Sequence, residues 1–200
     1  MARQKIQEIP LVERATGTEV LATVYDGLSS ENLKELGSIR YWALLLRKLS
    51  IAQGYEDSHW DWHGKNQFFT GRPNVTTLVI ELECRSWKKL FTRKTQGVII
   101  FYPGRSSLNS ATSLIYVDYL STAPHNRRWE WGIFSGQGKY RGVGTALLAF
   151  AASESLSLSF NGTVGLHSLP RAKDFYLGSG LIDYRKVNDK PGLVYFEGVL

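Results

Sequence analysis

The stretch Lys139-Tyr-Arg-Gly-Val-Gly-Thr-Ala-Leu-Leu148 decides the fold of this chain. Two glycines with basic neighbours lead directly into an apolar pattern that has helical spacing. Glycine lets the backbone approach a ligand closely, and the first turn of a helix presents unpaired N–H groups at its positive end. Because Lys139 and Arg141 add positive charge, the stretch predicts a loop that binds a phosphate or pyrophosphate group.

Two common nucleotide-binding motifs are excluded in this stretch. A dinucleotide fingerprint needs a small residue three positions after Gly144, where the chain has Leu147. The Walker A pattern fails because Tyr140 follows Gly138-Lys139. The remaining pattern, Gln/Arg-x-x-Gly-x-Gly/Ala at the start of a helix, resembles the acyl-CoA pyrophosphate loop of the GNAT superfamily of N-acyltransferases, with Lys139 in place of Gln or Arg.

Hydrophobic periodicity and turn residues predict the order β-α-α-β-β-β-α-β-α-β-β. A polar leader over residues 1–15 precedes the first strand, and one or two helices over 30–52 follow it, with Gly37 as a break. Residues 53–74 are expected to form an ordered loop with short helical turns. The predicted strands are 19–25, 76–83, 97–102, 114–121, 163–167, 181–187 and 193–199, and the later helices are 145–158 and 172–177.

This order resembles the GNAT order, and two further motifs fit it. Leu120-Ser-Thr-Ala-Pro124 is similar to the family's Leu-x-Val-x-Pro strand end, and Ala172-Lys-Asp-Phe-Tyr-Leu-Gly-Ser-Gly-Leu181 is similar to its Ala-x-x-Phe/Leu-Tyr-x-x-x-Gly-Phe. The motifs cover residues 113–200. The resemblance implies a single GNAT-like domain over 1–200, α/β (α+β) in class, with a mixed, mostly antiparallel sheet of six to seven strands and about four helices. Residues 125–138 are an insertion relative to the family pattern.

The composition fits one domain that handles a polyanionic partner. The chain has 200 residues and a formal net charge of +6, which suits CoA, nucleic acid or an anionic surface equally. Its single cysteine, Cys84, excludes an internal disulfide framework and cysteine-rich zinc sites. With no apolar signal core and no apolar run of about 20 residues, we expect a cytoplasmic protein that does not enter membranes.

The resemblance also implies which residues bind the cofactor and return a proton to its sulfur. Tyr176 stands at the family's tyrosine position near the CoA sulfur, where a phenol can protonate the departing thiolate. Leu169 stands where many relatives carry an Asn that touches pantetheine. The residues expected to bind acetyl-CoA or another acyl-CoA are Leu120, Ser121, Thr122, Lys139, Tyr140, Arg141, Gly142, Val143, Gly144 and Thr145. No metal is expected.

A base must deprotonate the acceptor ammonium, and Asp118 is our first candidate. Strand alternation places Asp118 on one face with Tyr116 and Leu120, where a carboxylate needs a partner or a cleft. It therefore acts as base or amine binder, or forms a structural salt bridge with Arg127 or Arg128. The weaker candidates for the base are Glu81, Glu83 and His125.

The acceptor side is expected in two aromatic segments. His59-Trp-Asp-Trp-His63 forms either a strand whose polar residues share a face and bind a metal, or an irregular loop whose Trp residues pack and whose polar residues cap. The resemblance implies that this region borders the acceptor site and lines the substrate pocket. The 125–138 insertion carries further aromatic residues beside the expected active site. We expect Trp60, His63, Trp129 and Trp131 to contact the substrate.

The leading hypothesis is direct transfer of an acetyl or longer acyl group from CoA to a primary amine. A longer acyl group transferred to a lysine- or ornithine-type amine on a peptide is an alternative. A second alternative is a non-catalytic CoA-binding or interaction module, and a nucleic-acid binder, resting on basic residues at 85–94, ranks third. The expected partners are the acyl-CoA, a small-molecule or protein amine and, by analogy with related folds, a second copy of the chain.

Overall fold

The computed structural model describes residues 3–37, 56–83, 95–127, 129–131, 134–136, 138–185 and 190–200. Predictions for the helical stretch beyond Gly37, for Cys84 and for the basic residues at 85–94 fall outside these ranges, as do the side chains of Trp129 and Trp131. The described strands are β1 Lys5–Glu13, β2 Glu19–Asp26, β3 Thr76–Glu81, β4 Thr95–Ser106, β5 Ser113–Thr122, β6 Trp129–Trp131, β7 Phe134–Gly136, β8 Tyr140–Arg141, β9 Thr163–Ser168, β10 Ile182–Tyr184 and β11 Val194–Val199.

The described α-helices are α1 Ser30–Gly37, α2 Trp62–Phe69, α3 Val143–Ser157 and α4 Lys173–Gly178, and short 3-10 turns lie at Glu56–His59, Pro124–Asn126 and Pro170–Ala172. No helix in the described part of the chain combines the length and the apolar character needed to cross a bilayer.

Nine of the described strands form one sheet in the order β10-β11-β9-β5-β4-β3-β2-β1-β8. All neighbours pair antiparallel except β5 and β9, which are parallel. This confirms the predicted mixed, mostly antiparallel sheet with flanking helices, although the sheet has more strands than the six to seven expected. The insertion adds a separate two-stranded ribbon of β6 and β7.

Strand β1 is the main correction to the predicted element order, because it occupies most of the expected polar leader. Only Ile9 and Leu11 of this strand are buried, whereas the residues from Lys5 to Glu8 are exposed. The strand pairs with β2 along most of its length and with β8 near its end. The apolar residues of this strand, Ile6, Ile9, Leu11 and Val12, do not alternate regularly with polar ones, so the sequence pattern did not indicate a strand although the segment is part of the sheet.

Helices cover both faces of the sheet. On one face, Val143, Leu147 and Ala151 of α3 pack in a buried cluster with sheet residues that include Ile99 and Ile115. On the other face, a second cluster joins α1 and α2 to the sheet through Leu36, Trp62, Phe69, Val79, Val98 and Ile100. Burial of these apolar side chains is the main source of stability.

A β-bulge in β5 places the residues that follow it. Ile100 pairs with Tyr119 and Phe101 with Val117, so Asp118 is an extra residue in β5. The extra residue shifts the alternation by one. Tyr116 consequently packs with Leu114 and Tyr195, whereas Leu120 packs against the cluster that contains α3. The prediction that Asp118 shares a face with both Tyr116 and Leu120 is therefore wrong.

Candidate active site

The cleft that holds the candidate site opens where β5 and β9 separate. Their pairing ends at Val117 and Leu166, although β5 continues to Thr122 and β9 to Ser168. A cavity of about 1420 Å³ occupies this region and is lined by residues from Tyr116 to Thr122 of β5. The edge of β5 beyond Val117 therefore presents backbone groups to the cleft instead of to β9.

The N-terminus of α3 forms one end of the cleft. Gly142 is the N-cap residue with φ 95°, and the first bond of the helix runs from the Ala146 N–H to the Gly142 carbonyl at 2.8 Å. The N–H groups of Val143, Gly144 and Thr145 precede that bond, and no acidic residue lies in the first turn. Because all residues from Tyr140 to Thr145 line the cleft, the predicted anion-binding loop faces it.

The two glycines of the loop have different roles. Gly142 is needed for its left-handed backbone, since a Cβ there would meet only Leu11 Cδ2 at 3.8 Å. Gly144 is needed for packing, since a Cβ there would lie 2.9 Å from Cζ of Phe175 in α4. Close approach of α3 and α4 is a reason for Gly144 that the sequence argument, which invoked only a ligand, did not supply.

Basic side chains surround this end of the cleft. Arg14 follows β1, Arg141 ends β8 and Arg171 lies in the 3-10 turn before α4, and all three are exposed and line the cavity. Lys139 does not line it. Its side chain is exposed, with Nζ 5.1 Å from the centre of the Tyr140 ring, so the predicted contact of Lys139 with the cofactor receives no support from its position.

Tyr176, the expected proton donor, lies in the cleft on α4. Its side chain is only 6% exposed, and its ring packs beside those of Phe175 and Phe196. Burial raises the pKa of the Tyr176 hydroxyl well above its ordinary value, and the nearby charge of Asp57 raises it further. The phenol is therefore protonated at neutral pH, so its hydroxyl carries a proton within the cleft.

A buried ion pair lies close to Tyr176 and joins the 3-10 turn at 56–59 to the end of β5. Arg127 donates from Nη1 to Asp57 Oδ1 at 2.8 Å and from Nη2 to Asp57 Oδ2 at 2.5 Å. Ser121 Oγ donates to Asp57 at 3.1 Å, and Arg127 Nε donates to the Thr122 carbonyl at 3.0 Å. Burial alone would raise the pKa of Asp57, but the charge and hydrogen bonds of Arg127, helped by Ser121, hold it below its ordinary value.

Sequence reasoning did not find this pair. Asp57 and Arg127 are 70 positions apart, and neither stands in a motif that links them. From the sequence, Arg127 was considered only as a partner of Asp118, but in the structure the partner of Asp118 is Lys190. One indirect signal for the Asp57–Arg127 pair was present in the sequence: residues 53–74 are polar and lie beside the elements that form the cleft.

Asp118 lines the cleft and forms an ion pair with Lys190, whose Nζ lies 3.1 Å from Oδ1. Partial burial alone would lower the pKa of Lys190, but its hydrogen bonds and charge interactions with Tyr116 and Asp118 outweigh burial and raise it. The Tyr116 hydroxyl lies 2.7 Å from His167 Nδ1, and both residues also line the cleft. A connected set of four titratable groups thus forms one wall.

Aromatic rings form another part of the cleft wall. Trp60 lines the cleft and packs edge to face on Tyr119, with ring centres 5.0 Å apart. Asp61 does not share a strand face with the two histidines, because it is the N-cap of α2 and accepts the His63 N–H at 3.0 Å. The His63 side chain is exposed and does not line the cleft. Within the described residues, no group of three potential ligands could hold a metal ion.

Trp129 and Trp131 are the remaining two predicted substrate contacts. The structure describes only their backbone, which lies in the ribbon of β6 and β7. Trp129 pairs with Gly136 and Trp131 with Phe134. The ribbon follows the 3-10 turn at Pro124–Asn126 directly, and the chain returns to the sheet where the Lys139 N–H donates to the His125 carbonyl at 2.6 Å. Both ends of the insertion are therefore fixed beside the cleft-lining residues Asn126 and Tyr140.

Known proteins that resemble this chain were found among solved structures and not by sequence. No protein-family model matches the chain, and no curated protein matches it significantly. Among solved structures, a GNAT-family acetyltransferase from Listeria monocytogenes superimposes with a TM-score of 0.53 at 14% identity, covering 98% of this chain and all of that one. A GNAT-family protein from Desulfovibrio desulfuricans gives 0.52 at 12% identity, covering 89% of this chain and 98% of that one. This protein therefore has the GNAT fold.

Proposed function

We propose that this protein is an acyl-CoA-dependent N-acyltransferase whose residues 1–200 form one catalytic domain. The observation that carries the proposal is the continuity of the cleft. It runs from the N-terminus of α3, along the edge of β5 that β9 has left, to the protonated hydroxyl of Tyr176. An anion site, an extended polar edge and a proton donor in one cleft are what a CoA thioester requires.

The donor would bind with its pyrophosphate at the α3 N-terminus. The free N–H groups from Val143 to Thr145 and the Arg141 guanidinium supply hydrogen-bond donors and positive charge for two phosphate groups. The pantetheine arm carries amide groups, which suit the backbone of Leu120–Thr122 on the diverging edge of β5. The CoA thioester would then lie toward Tyr176.

The residues present suit transfer from a thioester to an amine. A backbone N–H on the free edge of β5 can hydrogen-bond the thioester oxygen as the carbon becomes tetrahedral. The amine forms the new C–N bond as the C–S bond breaks, and Tyr176 gives its proton to the departing sulfur. Asp118, with Lys190 beside it, is the group we propose to hold or deprotonate the incoming ammonium.

The acceptor would enter between the aromatic wall and the Asp118 wall. Trp60 and Tyr119 offer apolar ring surface for the carbon chain of an acceptor. The ribbon of β6 and β7 is fixed at both ends beside this opening, so we propose that Trp129 and Trp131 affect which acceptor or acyl group is used.

The test is release of CoA thiol from acetyl-CoA in the presence of a panel of small amines and lysine-containing peptides. We expect saturable binding of acetyl-CoA by calorimetry, and thiol release that depends on the amine. Mass spectrometry of ligands retained by the purified protein would identify the acyl chain. Absence of acyl-CoA binding together with absence of thiol release for every amine would refute the proposal.

A further inference from the structure

Among the described residues, two lysines line the cleft, and they are held in different ways. Lys190 is paired with Asp118 at 3.1 Å and hydrogen-bonded to Tyr116, which keeps it charged. The Lys65 ammonium instead lies over aromatic rings, with Nζ 3.6 Å from the centre of the Tyr119 ring and 5.4 Å from that of Trp60. Across the described ranges of the chain, no carboxylate forms an ion pair with Lys65.

The position of Lys65 is fixed by the start of α2. Asp61 caps the helix with its side chain, and its carbonyl accepts the Lys65 N–H at 3.0 Å, so Lys65 stands in the first turn. Its half-buried side chain then extends over Tyr119. Tyr119 lies between the bulge residue Asp118 and Leu120, in the part of β5 that no longer pairs with β9.

This part of β5 is where the thioester is proposed to bind, so a primary amine of the protein itself lies in the wall of the acyl-transfer cleft. Loss of a proton from Lys190 would leave the Asp118 carboxylate without its partner, which opposes neutralisation. Among the described residues, Lys65 has no carboxylate partner, and its ammonium lies over the rings of Tyr119 and Trp60. Of these two lysines, Lys65 is thus the one whose Nζ is not held by a carboxylate.

We propose that Lys65 is a site of self-acylation, in which the protein transfers the acyl group of bound acyl-CoA to its own Lys65 Nζ. The inference rests on the proposed acyltransferase function. Lys65 first loses one proton to solvent, and Nζ then forms a bond to the thioester carbon as the C–S bond breaks. The second proton lost from Nζ replaces the proton that Tyr176 gives to sulfur, so the products are N6-acyl-lysine and the CoA thiol.

Acylation would change the acceptor side of the cleft. The amide is uncharged, so the cation that now lies over Tyr119 and Trp60 disappears and a larger neutral group remains beside the rings. A modified molecule would consequently bind an acceptor ammonium differently from an unmodified one.

The test is incubation of the purified full-length protein with acetyl-CoA and no amine, followed by intact-mass measurement and peptide mapping. We expect one added acetyl group, located on Lys65, with a first-order rate that does not change with protein concentration. Lys190 and the exposed Lys139 serve as internal controls and are expected to stay unmodified. Lys65→Arg should abolish the modification, Tyr176→Phe should slow it, and the urea-unfolded chain should not show it.

Several results would overturn the inference. These are acetylation spread over exposed lysines, equal acetylation of the unfolded chain, or a rate that rises with protein concentration. An unmodified Lys65 in a protein that releases CoA thiol with an external amine would refute self-acylation and leave the proposed function intact. If neither Lys65 nor any amine is acylated, both ideas fail. Mapping of the wild-type chain decides these outcomes even if the Arg variant does not fold.

Discussion

The buried pair of Asp57 and Arg127 allows a quantitative prediction. Asp57→Asn preserves the side-chain volume and removes the charge from a carboxylate that is 7% exposed, beside a guanidinium that is 14% exposed. Asp57 accepts two hydrogen bonds from Arg127 and one from Ser121. Removing one partner of a buried pair typically costs about 3–5 kcal/mol, because the other charge remains buried and uncompensated.

We expect a loss near the lower end of that range, about 3 kcal/mol, because Arg127 keeps its bonds to the Thr122 carbonyl and Ser121 Oγ. The assay is urea unfolding at neutral pH, analysed for midpoint and slope. Glu8→Gln is the matched control, since Glu8 pairs with Lys5 at 2.8 Å on the exposed surface, and we expect it to leave the midpoint unchanged.

The pH dependence follows from the lowered pKa of Asp57. A carboxyl whose folded pKa lies below its unfolded value stabilises the fold above the unfolded value, and this stabilisation is lost as pH falls through the folded value. The difference in stability between wild type and Asp57→Asn should therefore shrink in acid. An Asp57→Asn midpoint equal to that of Glu8→Gln, or a difference that is unchanged at low pH, would refute the reasoning.

Two further predictions concern α3 and its N-terminus. Gly144→Ala should destabilise the protein by about 1–3 kcal/mol in urea unfolding, because the new Cβ meets Phe175 at 2.9 Å. Adding Phe175→Leu to this variant should restore part of the lost stability. Equal stability of Gly144→Ala and wild type would contradict the packing role. Arg141→Gln should weaken acetyl-CoA binding about tenfold by calorimetry, since one charge-assisted hydrogen bond contributes about 1.5 kcal/mol, with a smaller effect at high salt. Arg185→Gln, at a side chain 81% exposed and outside the cleft, is its control, and equal affinities of the two variants would contradict the proposed pyrophosphate site.

Local patterns predicted those parts of the fold whose signals are contiguous in sequence. The Gly142-x-Gly144 loop does begin a helix that lines the cleft, although α3 starts at Val143 instead of Thr145. Tyr176 was placed by a motif of ten residues and does lie in the cleft. Each of these predictions depended on residues that are close together in the sequence.

The misplaced and missed features depend on pairing between distant segments. The bulge at Asp118 is a property of the β4–β5 register, and a run of strand-forming residues carries no sign of the extra position. Strand β1 is recognisable from its pairing with β2 and β8, whereas its apolar residues Ile6, Ile9, Leu11 and Val12 show no regular alternation. Asp57 and Arg127 meet across 70 residues, so no local pattern could join them.

The central claim is that acyl-CoA binds in the cleft and that Tyr176 protonates the departing thiolate. The most direct measurement compares wild type, Tyr176→Phe and Tyr184→Phe for acetyl-CoA affinity and for the rate of CoA thiol release with an amine. Tyr184 is the matched control, because its hydroxyl bonds to Asn109 outside the cleft. We predict that Tyr176→Phe retains its affinity for acetyl-CoA and loses about 10²–10⁴-fold in rate, while Tyr184→Phe behaves as wild type. Unchanged turnover in Tyr176→Phe, or a wild-type protein that does not bind acetyl-CoA, would contradict the account.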